Sequence, residues 1–143
     1  MTEYLPAAIG ALAMAISVAM GAFGAHGLKA ILTPESLQTW ETAARYLAYH
    51  GLGLFAVAFL HARAPGRLTQ VATALMVLGM VLFSASLFGY ALTQEPALAM
   101  MAPFGGTSFM AGWLCLAVAA FRAHGRARRA AGAADAPQRE DRT

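Results

Sequence analysis

The stretch LPAAIGALAMAISVAMGAFGA, residues 5–25, contains no charged side chain and ends directly before His26. A hydrocarbon core about 30 Å thick is crossed by roughly 20 apolar residues in a helix, because lipid offers no hydrogen-bond partner to an open backbone. The stretch therefore predicts a transmembrane helix, here called span one. The preceding MTEYLP has no Lys or Arg, and the apolar run exceeds the roughly 7 to 15 residues of a signal-peptide core. We expect span one to remain in the mature protein.

Three further apolar stretches complete a four-span pattern. Residues 46–62, 70–92 and 103–121 contain no Asp, Glu, Lys or Arg. Hydrophobic residues make up 59% of the chain and charged residues 12%, whereas soluble proteins carry about 25% charged residues. The sequence therefore predicts an all-α fold, an integral membrane four-helix bundle, over residues 1–122.

The distribution of basic residues predicts the orientation in the membrane. With four spans, the amino terminus, the loop RAPGR at 63–67 and the residues after 122 lie on one side. Cytoplasmic segments carry an excess of Lys and Arg, so we expect a multi-pass inner (plasma) membrane protein with both termini cytoplasmic. A basic segment beside a span explains the net charge of +3 without nucleic acid as a partner. The predicted inner side carries Arg63, Arg67, Arg122, Arg126, Arg128, Arg129, Arg139 and Arg142, and the outer side carries Lys29 and Arg45.

Two segments outside the four spans have recognisable patterns. The segment TPESLQTWETAARY, 33–46, begins with the cap residue Thr33 and predicts an amphipathic interfacial helix that runs or bends into span two. Trp40 is its expected aromatic anchor, because tryptophan is enriched at membrane interfaces. The basic tail, 123–143, lacks aromatic residues, and we expect it to be disordered.

Small residues predict where the helices pack. In lipid, helices associate where small side chains let their backbones approach, because burying one apolar side chain against another gains little. Rows of small residues at four-residue spacing in span one indicate that it is central to the bundle. The glycines expected at helix interfaces are Gly21, Gly24, Gly105, Gly106 and Gly112.

Four motifs occur in order: GAFGAHGL from residue 21, WETAARYLAYHGL from residue 40, LFSASLFGYAL from residue 82 and APFGGTSFMAGW from residue 102. With them, residues 5–122 resemble the YgdD-like small membrane proteins, a domain of unknown function whose eukaryotic relatives are called transmembrane protein 256. The resemblance implies a four-span protein of the inner membrane, or of mitochondria in eukaryotes, without an established activity. Ala85 stands where the family often has Gly, and Phe104 where a smaller aliphatic residue is usual. The residues that match the family pattern are Gly21, Phe23, Gly24, Ala25, His26, Trp40, Thr42, Tyr46, His50, Phe83, Ser84, Ser86, Leu87, Pro103, Gly105, Gly106, Ser108, Gly112 and Trp113.

The polar residues of these motifs are the candidate ligand-binding residues. The predicted topology places all four motifs in the outer half of the bilayer, and ionisable groups inside a membrane are functional candidates by default. Three interpretations of His26 and His50 stay open: a structural hydrogen-bond network, a site for a small ligand or lipid headgroup, and ligation of metal or haem. The candidates are His26, Tyr46, His50, Ser84, Ser86 and Ser108.

Catalytic and transport signatures are weak in this sequence. The spans lack the buried carboxylate of proton-coupled transporters, and the serines lack an acidic partner that would orient His50 as a base. No nucleotide-binding motif and no HExxH motif occurs. We therefore predict a non-enzymatic protein without cofactor or metal, structural or accessory to a membrane complex or a homo-oligomer in the lipid bilayer. The alternatives are a binding protein for haem, metal or a small lipophile, and an oligomeric channel or transporter.

Overall fold

The structure is a computed structural model that describes residues 4–135, and every regular element in that range is helical. Four helical units in this range are long and apolar enough to cross a membrane: Leu5–Leu28, Pro34–Arg63, Arg67–Thr93 and Pro96–Ala133. The predicted all-α four-span fold is confirmed, and we keep the names spans one to four for these units. Their elements are α1 (Leu5–Phe23) with a first π segment (Gly24–Leu28), α2 (Pro34–Arg63), α3 (Arg67–Gly79) with a second π segment (Met80–Ala85), α4 (Ser86–Thr93), α5 (Pro96–Ala99) and α6 (Ala102–Asp135).

The amphipathic segment before span two is the first part of α2 and not a separate helix. Thr33 has extended backbone angles, and its side chain accepts a hydrogen bond of 3.2 Å from the Ser36 N–H, which caps the helix. Pro34 follows in the first turn, where its missing N–H costs nothing. From there α2 continues without a break for 30 residues, about 45 Å at the usual rise per residue.

Span two is the central helix of the bundle. The prediction that span one is central is wrong. Span one packs almost wholly against span two, whereas spans three and four pack against each other and both contact span two. The two backbones of spans one and two touch at Gly10 and Gly51: a methyl group added at Gly10 would lie 2.7 Å from the Gly51 carbonyl oxygen. Further along, the Ser17 hydroxyl donates a hydrogen bond of 2.8 Å to the Ala44 carbonyl.

The outer surface of the bundle is apolar, as a lipid-facing surface requires. Large hydrophobic side chains on all four spans are exposed, among them Leu12, Phe59, Val81 and Leu114. Contiguous apolar surface of this kind is rare on soluble monomers. The fold therefore buries small residues and a few polar ones inside and presents its large apolar side chains to the bilayer.

The end of the bundle that carries the loop at Ala64–Gly66 is called here the arginine end, and the end with residues Leu28–Trp40 the Trp40 end. At the arginine end α6 continues to Asp135. This differs from the disordered tail expected over 123–143, because alanine and arginine are strong helix formers and extend the helix of span four. Residues 136–143 of that expected tail lie outside the described residues.

Candidate functional site

His50 lies inside an aromatic cluster formed with Tyr46, Phe83, Phe109 and Trp113. Its side chain is only 5% exposed. The ring nitrogen Nδ1 lies 2.7 Å from the Tyr46 carbonyl oxygen, one helical turn earlier in α2. Since a carbonyl oxygen only accepts, Nδ1 carries the hydrogen and donates it, which leaves Nε2 as the acceptor nitrogen of the neutral ring.

Aromatic rings of spans two and four pack against His50, and Phe83 of span three packs on two of those rings. The Phe109 ring stacks on the imidazole with 3.3 Å between ring centroids and an interplanar angle of 11°. The Tyr46 ring stacks on Phe83 at 4.6 Å, and Trp113 lies 6.3 Å from the imidazole. These contacts join three spans around one histidine: His50 and Phe109 are buried in the core, whereas Tyr46 and Trp113 are 38% and 42% exposed at its edge.

The second π segment brings Ser84 into the core beside this cluster. Its wide turn changes the backbone hydrogen-bond pattern, and such segments are frequent at functional sites. Ser84 is 1% exposed, and its hydroxyl has no hydrogen-bond partner among the described residues. Buried hydroxyl groups nearly always have a hydrogen-bond partner. The burial of Ser84 without one is therefore not explained by helix packing alone.

The other two predicted serines bond to backbone carbonyls. The Ser86 hydroxyl donates to Leu82 at 2.6 Å and to Phe83 at 3.0 Å, and so satisfies carbonyls of the second π segment. The Ser108 hydroxyl donates to the Leu75 carbonyl at 2.8 Å and links spans four and three. Both hydroxyl groups stabilise the helices that surround Ser84.

The predicted interface glycines divide by what they touch. Gly105 lies directly on the second π segment: a methyl group there would be 2.5 Å from the Phe83 amide nitrogen. Gly112 packs on Met76, and Gly24 on the Trp40 ring. Gly106 has only an ordinary contact, 4.0 Å from the Phe83 ring. Gly21 is exposed with nothing within 4 Å, so its assignment as an interface glycine is corrected.

Sequence reasoning missed the closest contact of spans one and two. Gly10 belongs to a buried row with Ala13 and Ser17, whereas Ala11, Ala15 and Ala19 are exposed. Gly51 contacts Gly10 from span two. The signal was present in the spacing of i, i+3 and i+7, which gives one face of a helix.

His26 does not join the aromatic cluster. It is exposed in the first π segment. Gly10 lies against Gly51, whereas Gly24 lies against Trp40. His50 is therefore level with about residue 10 of span one, and His26 lies roughly 24 Å further along the helix axis at 1.5 Å per residue. The expected pairing of the two histidines at one depth is wrong.

A metal site with three or more protein ligands has no support in residues 4–135. No group of three or more His, Cys, Asp or Glu side chains is placed there to hold a metal ion. Since His26 and His50 are far apart, they do not form the paired axial ligands of a haem within one chain.

Trp40 is a buried structural residue, which corrects its assignment as an interfacial anchor. It is 3% exposed, and its Nε1–H donates a hydrogen bond of 2.8 Å to the Met20 carbonyl. Its ring meets Phe88 edge-on, with 4.6 Å between centroids. Gly24 makes room for it, because a methyl group there would lie 2.8 Å from Trp40 Cδ1. Trp40 therefore connects spans one, two and three.

Four cavities of the described residues lie at the arginine end, away from this cluster. They have volumes of 160, 230, 800 and 410 Å³. None of these four is lined by His26, Tyr46, His50 or a predicted serine.

The Trp40 contacts and the residues Tyr46, His50 and Phe83 of the aromatic cluster lie within one family model, whereas Phe109 and Trp113 lie just beyond it. Residues 20–106 match the model of the protein family of unknown function DUF423. The chain belongs to the DUF423 family. The resemblance inferred from the four motifs is thereby confirmed at the level of this family, and so is the assignment as a membrane protein of unknown activity.

Several relatives of this DUF423 protein are named membrane proteins. The UPF0382 membrane protein YwdK of Bacillus subtilis (strain 168) is 43% identical over 116 residues, which are 80% of this chain and 94% of that protein. A UPF0382 membrane protein of Staphylococcus haemolyticus is 42% identical over 114 residues, covering 80% and 93%. One of Haemophilus influenzae is 35% identical over 105 residues, covering 73% and 84%. No solved structure matches this DUF423 chain.

Proposed function

We propose that this DUF423 protein is a non-enzymatic accessory component of a larger membrane complex, held there by lateral contacts of span one. The observation that carries the proposal is the one-sided packing of span one, which rests almost wholly on span two. A helix placed at the edge of a bundle in this way leaves most of its surface to lipid or to a neighbouring protein.

The use of the polar side chains supports a structural role. The Trp40 indole and the Ser17 and Ser108 hydroxyls all donate to backbone carbonyls of another span. Hydrogen bonds of this kind between transmembrane helices contribute about 0.6 kcal/mol each. They stabilise the bundle.

Cysteine crosslinking tests the proposal. In a Cys115→Ala background, Ala15→Cys and Ala19→Cys place a thiol on the exposed side of span one, and Leu114→Cys places one on exposed span four as a matched control. We expect defined crosslinked species in native membranes from the two span-one variants and not from the control. Equal crosslinking from all three, or a monomer throughout, would contradict the proposal.

A second candidate, a small-molecule site, is favoured by the unpaired Ser84 hydroxyl. A ligand there would hydrogen-bond to that hydroxyl, and His50 Nε2 would be a further acceptor near the cluster. Mass spectrometry of small molecules that co-purify with the wild type, compared with Ser84→Ala, tests it. A molecule present in the wild type and lost in the variant supports the site, and identical profiles count against it.

We further propose that both termini lie in the cytoplasm and that the membrane is the inner (plasma) membrane. The excess of arginine at the arginine end supports this orientation. Reporter fusions after Gly66 and after the Trp40-end residue Thr93 test it: a cytoplasmic reporter is expected to be active only at Gly66.

A further inference from the structure

The turn between spans two and three and the facing part of span four form a cavity that is open to the surface. The cavity has a volume of 160 Å³, and Arg67 from the turn lines it together with Arg122 and Arg126 from α6. These three residues are called the arginine pocket. Arg122 and Arg126 are four residues apart, so they lie on one face of their helix. Two separate elements thus contribute arginines to the lining of one cavity.

Two side-chain hydrogen bonds hold the turn that carries Arg67. The Thr69 hydroxyl donates a hydrogen bond of 2.8 Å to the Gly66 carbonyl, and His61 Nδ1 lies 2.6 Å from the same hydroxyl oxygen. Because Thr69 gives its one hydroxyl hydrogen to Gly66, His61 Nδ1 is the donor in the second bond. Thr69 is 1% exposed and His61 8% exposed. Span two therefore fixes the turn before any ligand arrives.

The arginine pocket has no acidic partner among the side chains that the structure describes. The described carboxylates, Glu35, Glu41 and Glu95, belong to the Trp40 end of the bundle. Gly66 precedes α3 without a side-chain cap, so the first turn of that helix adds unpaired N–H groups beside Arg67. Guanidinium groups bind phosphate through paired hydrogen bonds, which makes a phosphate the matching anion.

The surroundings of the pocket match a lipid. Phe121, directly before Arg122, is 77% exposed. The Arg63 guanidinium lies 3.7 Å above the centre of the exposed Phe59 ring, at the border between apolar and charged surface. An adjacent cavity of 800 Å³ shares Arg126 with the pocket and adds Leu60. A phosphate with attached acyl chains fits this border better than a free ion does.

We propose that the arginine pocket binds the phosphate of an anionic phospholipid in the leaflet at the arginine end, with the acyl chains lying along Phe121 and Leu60. This site is independent of the proposed accessory role of span one, because the two involve different spans and different surfaces.

Lipid titration of the full chain in neutral detergent tests the proposal, because a detergent micelle removes the surface potential of a charged leaflet. Native mass spectrometry measures Kd for phosphatidylglycerol, with phosphatidylcholine and inorganic phosphate as further arms. We expect selective binding of phosphatidylglycerol. Arg67→Gln and Arg122→Gln should each weaken the binding of phosphatidylglycerol roughly tenfold or more, since each removes hydrogen bonds to a charged group. Arg128→Gln, which lines none of the described cavities, is the matched control and should change Kd less than about threefold.

Three outcomes would overturn the proposal. Equal weakening by Arg122→Gln and Arg128→Gln would show that total charge, and not the pocket, attracts the lipid. Equal binding of phosphatidylcholine would remove the role of the anion. Binding of inorganic phosphate as tight as that of phosphatidylglycerol would identify a free anion as the ligand. Arg122 is exposed on a long helix, so its variant should fold, and unchanged melting without lipid checks this.

Discussion

Spans one and two meet where two glycines face each other, whereas spans three and four meet where a glycine of one span faces a larger residue of the other. At the first contact Gly10 and Gly51 face each other. At the second, Gly105 receives the backbone of the second π segment, and Gly79 receives the Phe109 ring that also covers His50. The first contact joins one peripheral helix to the bundle, and the second shapes the core. The glycines between spans one and two therefore attach a peripheral helix, whereas those between spans three and four shape the core.

The largest effect should come from Gly105→Ala. Its added methyl group would lie 2.5 Å from the Phe83 amide nitrogen and 2.8 Å from the Leu82 carbonyl carbon, and backbone cannot yield as a flexible side chain can. We expect a loss of about 3 kcal/mol in unfolding free energy, at the upper end for overpacking. Thermal unfolding in detergent measures it. Gly106→Ala, whose methyl group meets nothing nearer than 4.0 Å, is the control, and an equal loss there would refute the explanation.

Gly10→Ala should have a smaller and more local effect. The methyl group would lie 2.7 Å from the Gly51 carbonyl oxygen, so span one must shift away from span two. We expect a loss of about 2 kcal/mol and faster proteolysis or labelling of span one, with spans three and four still packed. Gly21→Ala has open space and should be neutral. If Gly10→Ala loosens the Phe109 contact as strongly as Gly105→Ala does, the two halves are not separable.

Trp40→Phe tests the connection between the halves at the Trp40 end. The variant keeps an aromatic ring against Phe88 but removes the donor to the Met20 carbonyl. We expect a loss of about 1 kcal/mol, because the lost interhelical hydrogen bond, about 0.6 kcal/mol, adds to the lost packing of the larger indole ring. Unfolding in detergent gives the value, and Trp113→Phe, whose indole contributes ring packing to the aromatic cluster, is a useful comparison. No loss in Trp40→Phe would show that ring packing alone matters.

The smallest expected changes in stability are those of two buried serines, and they differ in sign. Ser108→Ala removes a bond of 2.8 Å to Leu75 between spans four and three and should cost about 0.6 kcal/mol. Ser84→Ala removes an unpaired hydroxyl and should be neutral or slightly stabilising. Paired melting curves decide between the two signs. A clear loss in Ser84→Ala would show that this hydroxyl has a partner, such as a bound small molecule.

The sequence was sufficient to predict the four spans because their cause is local. Each backbone group in lipid must be satisfied within its own helix, so an uncharged run of sufficient length decides the structure. The boundaries differ mainly where helices extend beyond the apolar run, as α2 does from Pro34 and α6 does to Asp135.

The site was less predictable because it depends on how far one helix is shifted along another. His26 and His50 appear neighbours when each span is laid from one membrane surface to the other. The Gly10–Gly51 contact fixes a different alignment, and it separates them. Trp40 was assigned to the interface from a general preference of tryptophan, whereas the space opened by Gly24 admits it to the core. The fit of Trp40 into the space at Gly24 joins distant residues and leaves no periodic signal in the chain.

The unbroken helix α6, Ala102–Asp135, has a practical consequence for imaging this protein. At 15.0 kDa the chain offers little mass to align in electron microscopy. Because 34 residues of α6 form one rod of about 51 Å, a soluble protein fused in helical register after Asp135 would inherit the orientation of span four. Each residue added at the junction would rotate the fused protein by about 100°, which allows a clash with the bilayer to be avoided by choice of linker length.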